Sequence, residues 1–148
     1  MRSRSVLIPL LFLAAAAAAQ VAVDPRTSVK VDFPKDSPVA VVSADWGETR
    51  ATARGGALVL DLHTSLTLKN SDTRHVRSIT LLVLAQEVTP GGKASVAVPS
   101  LNAGFGETFP VRIDLRLLRP LTAAAGPLVR VDLDGVLFND LSFFGPNN

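Results

Sequence analysis

The chain has 148 residues, 47% of them hydrophobic, 19% charged and none of them cysteine, which allows one domain with a packed core and excludes a collagen-like, mucin-like or disordered chain. Of 15 Lys and Arg against 13 Asp and Glu, Arg2 and Arg4 lie at the extreme N-terminus and the rest balance at 13 against 13. A neutral body has no summed field with which to attract nucleic acid or an anionic membrane surface.

Residues 1–19 read as a secretory signal peptide and its helix. A basic start with Arg2 and Arg4 leads through the apolar Val6 to Leu13 into an alanine tract, where Ala17 and Ala19 fit a small-residue cleavage site. The apolar run from Val6 to Ala19 has 14 residues, short of the roughly 20 that a membrane-spanning helix needs. An uncleaved N-terminal anchor is the alternative, and only in that form is a membrane contact expected. Cleavage leaves a flexible segment at 20–28 and a single domain over 29–148. Without cysteine, an exported domain draws its stability from its core rather than from disulfides, and about 129 residues are enough for that.

The body alternates as strands do. Val29 to Phe33 and Val39 to Asp45 are β-branched runs separated by Pro34 and Pro38, which suit opening edge strands. From Ala57 to Asn70, Leu58, Leu60, Leu62, Leu66 and Leu68 occupy even positions and Asp61, His63, Ser65, Thr67 and Lys69 odd ones, the period of a strand with one buried face. Val76 to Val88 is apolar on both faces in its middle, as in a central strand, and Ala94 to Val98 is a short alternating piece. Phe109, Val111, Ile113, Leu115 and Leu117 share one face of the next strand. The nine-residue connection Arg119 to Pro127 is too long for a hairpin. It is expected to cross between sheets, leaving 109–117 beside 57–69. Val129, Val131 and Leu133 then alternate with polar residues, and Asp134-Gly135 predicts a type I′ turn into Val136 to Phe138. Together these predict an all-β fold, a seven- to nine-stranded antiparallel sandwich or barrel.

The stretch Ser65 to Ala85, SLTLKNSDTRHVRSITLLVLA, is similar to the strand, Asn-containing turn and strand of bacterial immunoglobulin-like and fibronectin type III-like domains. The Gly104 to Glu107 turn before Phe109, and the ending Asp134 to Phe143, resemble a later turn and the final hairpin of such domains. The resemblance implies a Greek-key β-sandwich and says little of function, since that fold hosts many roles. The absence of cysteine separates the chain from the antibody-type branch.

Chemistry-bearing groups are sparse. His63 and His75, with Asp61 and Asp72, are the available metal group, but seven strand residues span roughly 20 Å and zinc needs its ligands about 2 Å from one point. Asp132, Asp134, Asn139 and Asp140 lack the distal Glu of a calcium loop. No serine stands in a Gly-x-Ser-x-Gly elbow, and both histidines read as solvent-facing. No cofactor, metal or catalytic residue is therefore assigned. Trp46 reads as a plug over one end of the sandwich or as a ligand platform. Leu137, Phe138, Leu141, Phe143 and Phe144 put apolar groups on both faces of the last strand, which is covered by its own chain or waits for a partner. The expectation is a non-catalytic interaction or assembly module for another exported or cell-envelope protein. A small-ligand or enzymatic domain with an apical pocket built from loops 46–56 and 99–108 is the alternative, and a membrane-complex subunit held by the uncleaved helix is a third.

Overall fold

The computed structural model describes residues 19–21, 28–86, 90–120 and 127–146. Ten strands are found among them: β1 (Ala19–Val21), β2 (Val29–Asp32), β3 (Val39–Asp45), β4 (Arg50–Arg54), β5 (Ala57–Asn70), β6 (Val76–Leu84), β7 (Lys93–Val98), β8 (Thr108–Pro120), β9 (Val129–Phe138) and β10 (Phe143–Phe144). They form two packed sheets. In the first, β5 pairs with β8 along one edge and with β3 and β4 along the other, and β1 pairs with β4. In the second, β6 lies between β7 and β9, and β9 carries β2 and β10 on its far edge.

The alternation along β5 has the expected consequence. Leu58, Leu60, Leu62, Leu66 and Leu68 are buried, and they form one core with Ile79, Leu81 and Val83 of β6, Val111, Ile113 and Leu117 of β8, and Val129, Val131 and Leu133 of β9. β6 is indeed central in its sheet. The expected crossing is also present: β8 pairs antiparallel with β5 from Lys69↔Thr108 to Ala57↔Pro120, whereas β9 lies in the other sheet. Residues 121–126 of the connection, the end of the expected strand at 87–88, and the signal segment before residue 19 lie outside the described residues.

Four expectations are corrected. The described strands number ten rather than seven to nine, because β1, β4 and β10 were not expected. Asp134-Gly135 is not a turn. β9 runs through it, and the dipeptide forms a bulge, since Thr80 pairs with Gly135 and Leu81 with Leu133. This leaves Asp134 buried, where an exposed position was expected. The turn falls at 139–142 instead, where Asp140 Oδ1 accepts the Ser142 N–H at 2.9 Å. The sandwich is also not wholly antiparallel, because β2 runs parallel to β9 with Val29 beside Val129. Finally, Gln20 and Val21, expected in a flexible segment, belong to β1, where Gln20 pairs with Thr52.

β3 and β4 are one strand interrupted at 46–49, since both run antiparallel to the same edge of β5. The break is a built turn. Asp45 Oδ1 accepts the Gly47 N–H at 3.0 Å, and the Trp46 carbonyl accepts from the Thr49 and Thr64 hydroxyls. Gly47 has φ +55, and a Cβ there would press into the His63 carbonyl, so only glycine fits.

Candidate functional site

The two outer faces differ in chemistry. On the first sheet, rows of opposite charge cross the strands: Arg50, Asp61 and Arg116 are register neighbours, with Arg116 Nε donating to Asp61 Oδ1 at 2.8 Å. One row on, His63 Nδ1 lies 3.0 Å from Asp114 Oδ1, and Arg112 donates to both oxygens of Asp114. The Arg112 guanidinium, and then His63, hold the Asp114 carboxyl below its ordinary range. These pairs are solvent-exposed and each contributes little to stability. A depression of about 300 Å³ beside them is lined by Asp45, Glu48, His63, Ser65 and Arg112. None of the residues lining it comes from 99–108, so this depression is not shared between loops 46–56 and 99–108. The 46–49 turn abuts Thr64 and the 99–107 loop abuts Asn70, six residues further along β5.

On the second sheet the rows Phe143, Leu137, Ser78 and Gly135, Thr80, Ala97 are built without a charged side chain, whereas the next row, Ser95, Leu82, Asp132 and Asp32, carries two carboxylates. Asp132 and Arg130 stand at one end of this area, paired to each other at 2.8 Å. Phe143 lies over Gly135, where a Cβ would stand 2.5 Å from Phe143 Cζ. The bulge glycine is thus the seat of an aromatic ring that stays 49% exposed.

The apolar residues singled out along the last hairpin divide by face. Leu137 is half-buried, Phe143 is exposed on the outer face, and Leu141 at the turn is 67% exposed with φ +70, a left-handed conformation rare for such a side chain. Phe144 and Trp46 are half-buried and pack on the core, Trp46 from the opposite sheet. Phe138 is the exception to an interface role. It is wholly buried, because its position beside Val76 turns it inward.

Sequence reasoning missed the organisation of one end of the sandwich, where loops 71–75, 99–107 and 139–142 are joined. The buried Asn70 side chain donates to the Arg74 carbonyl at 2.9 Å and to the Ala103 carbonyl at 2.8 Å. Asn139 N–H donates to the His75 carbonyl at 3.0 Å, and Arg74 Nη1 donates to Ser142 Oγ at 2.9 Å. His75 pairs with Asn102, so the two histidines sit with different partners. Phe105 projects from this end, 67% exposed. The Asn70-Ser71-Asp72 turn signal marked the place, but nothing in it showed three loops meeting.

Among the described residues no group of three or more His, Asp or Glu side chains is placed to hold a metal ion, and no helix is long and apolar enough to cross a membrane. Comparison with known proteins returned no matching family model, no similar curated protein and no similar solved structure.

Proposed function

We propose that the chain is a non-catalytic, exported interaction module, an immunoglobulin-like Greek-key sandwich that docks another exported or cell-envelope protein. The docking area is the part of the second sheet's outer face around Ser78, Thr80 and Gly135, away from its Lys30, Asp32, Arg130 and Asp132 end, together with the last hairpin. The observation that carries this reading is the contrast between the faces. One is crossed by Arg–Asp rows that keep it hydrated, while the other presents Leu137, Leu82 and an exposed Phe143 among Ser, Thr, Ala and Gly. A flat area with an aromatic anchor and few charges has the composition of a protein interface core.

The Greek-key part is supported by the pairing of β5 with β8 in one sheet and β6 with β9 in the other. Export rests on the composition of residues 1–19. Intact-mass analysis of the native protein separates a mature N-terminus near Gln20 from a retained anchor.

The docking area is tested with a photoreactive side chain placed at Phe143 or, as a control on the charged face, at Arg54. Capture of a defined protein from 143 that fails from 54, and that is lost in Leu137→Asp, supports the reading. Equal capture from both positions overturns it.

A further inference from the structure

β1 stands where the expected cut falls. Its three residues pair with β4 as Ala19↔Ala53, Gln20↔Thr52 and Val21↔Ala51. The Ala17-x-Ala19 pattern places the scissile peptide bond between Ala19 and Gln20, so both residues that flank the bond are rungs of one ladder. We propose that β1 controls its own processing: the Ala19–Gln20 bond is cut only while β1 is detached from β4. The order of docking and cutting then decides whether the chain is released or keeps residues 1–19. This rests on the export reading above and deepens it, since it concerns regulation of the same cleavage.

The chemistry of the cut requires the detachment. Hydrolysis adds one water across the bond and leaves a carboxylate on Ala19 and an α-ammonium on Gln20. A peptidase holds the segment to be cut as a single extended chain, bonded through its backbone to the enzyme on both sides of the scissile bond. A segment already hydrogen-bonded into a sheet must leave that sheet before it enters such a cleft. Small residues at 17 and 19 make the site readable, and the ladder to Ala53 and Thr52 withdraws it.

Docking is favoured with or without the cut. β4 is held by β5 on one side, and β1 supplies ladder partners to its backbone at Ala51 to Ala53 on the other. After the cut, Gln20↔Thr52 and Val21↔Ala51 are still available, so the mature chain closes the same edge. The control is also weak enough to be overcome. Three pairs at the end of a sheet open far more readily than the domain unfolds, and cutting of the folded chain then follows the fraction of time that β1 is off. During export the partner of β1 does not exist until Arg50–Arg54 has folded onto Ala57–Asn70. Until then the bond is free.

The test uses full-length precursor with residues 1–19 intact, folded in detergent micelles. Purified signal peptidase is added to it and, in parallel, to the same precursor freshly diluted from urea, and the N-terminus is read by intact mass. The unfolded chain is expected to be cut before Gln20 at least tenfold faster than the folded one. Val21→Pro disfavours the ladder and leaves Ala17 to Gln20 unchanged, so it should narrow that ratio at least threefold. A Val21→Cys, Ala51→Cys pair puts the chain's only cysteines at register partners. It should be uncut when oxidised and cut again when reduced. Thermal melts confirm that each variant is folded. Equal rates for folded and unfolded wild type overturn the proposal and leave export standing. So does a folded-to-unfolded ratio unmoved by Val21→Pro, or an oxidised pair cut as fast as the reduced one. An unfolded wild type that is never cut refutes the export reading, and the control of the cut falls with it.

Discussion

The guanidinium carbon of Arg74 stands 3.9 Å from the centroid of the Phe138 ring. The turn between β5 and β6 thereby seals the last core aromatic of β9 with a cation, an arrangement that favours both groups. Asp72 fixes this arginine through Nε and Nη2, each at 2.9 Å. Hydrogen bonds from the Arg74 side chain and then its backbone hold the Asp72 carboxyl at about 2, below the ordinary 3.8. Because the folded value lies below the unfolded one, the pair stabilises the fold above pH 3.8, and that contribution is lost as the pH falls towards 2. Asp72→Asn is therefore expected to be less stable than wild type at pH 7 and to approach it as the pH falls through 2. Urea midpoints measured across that range provide the check.

Truncating the β5 leucines opens cavities between the sheets. Leu60→Ala and Leu66→Ala are each expected to cost about 2–5 kcal/mol. Thr67→Ala, on the opposite face, should cost under about 1 kcal/mol. Denaturant unfolding of the three variants tests the face assignment, and similar losses at all three would refute it.

Asn70 holds two loops by two donated hydrogen bonds while its oxygen accepts the Asp72 N–H at 2.9 Å. Asn70→Ala strands carbonyls that the side chain had satisfied, at a cost of about 1–3 kcal/mol. Asn70→Asp should be no better, since a carboxylate cannot donate to Arg74 and Ala103. Hydrogen exchange is expected to quicken at the Gly106 and Ala103 amides in both variants, because these amides close the same loop.

Gly47 and Gly55 both have positive φ but differ in surroundings. A Cβ at Gly47 meets the His63 backbone, whereas one at Gly55 meets nothing within 4 Å. Gly47→Ala is expected to lower the melting temperature markedly. Gly55→Asn, which tolerates the left-handed conformation in the β4–β5 turn, should stay close to wild type. Parallel thermal melts distinguish the two, and equal effects would mean that backbone strain alone governs both sites.

The parts legible from sequence were those where one residue pattern has one structural outcome. Five leucines at period two could bury only one face of β5, and the proline-bearing connection after Arg119 was too long for a hairpin. β4 was missed because Arg-Ala-Thr-Ala-Arg, although it alternates, puts only two weakly apolar alanines on its inner face and is short of β-branched residues; its pairing comes from the Gly55-Gly56 turn that folds it onto β5. Asp134-Gly135 misled because the dipeptide that favours a tight turn also suits a bulge, and the ring of Phe143 that chose between them lies eight residues on. Phe138 failed as a surface candidate for the same reason: the bulge resets which residues of β9 face inward.

The placement of β8 sets an order of events for folding. β4 and β5 meet through a two-residue turn, and such hairpins close in about 1–10 μs. The β5–β8 ladder, whose nearest rung is Lys69↔Thr108, must first close a loop of about 40 residues at an entropic cost that no local contact repays. Refolding is therefore expected on the millisecond-to-second scale of sandwiches dominated by distant pairings. Throughout that delay β5 has one ladder edge unpaired and its leucines uncovered, so the chain is most open to aggregation before its native state forms, and crowded or hot synthesis is where it would be lost.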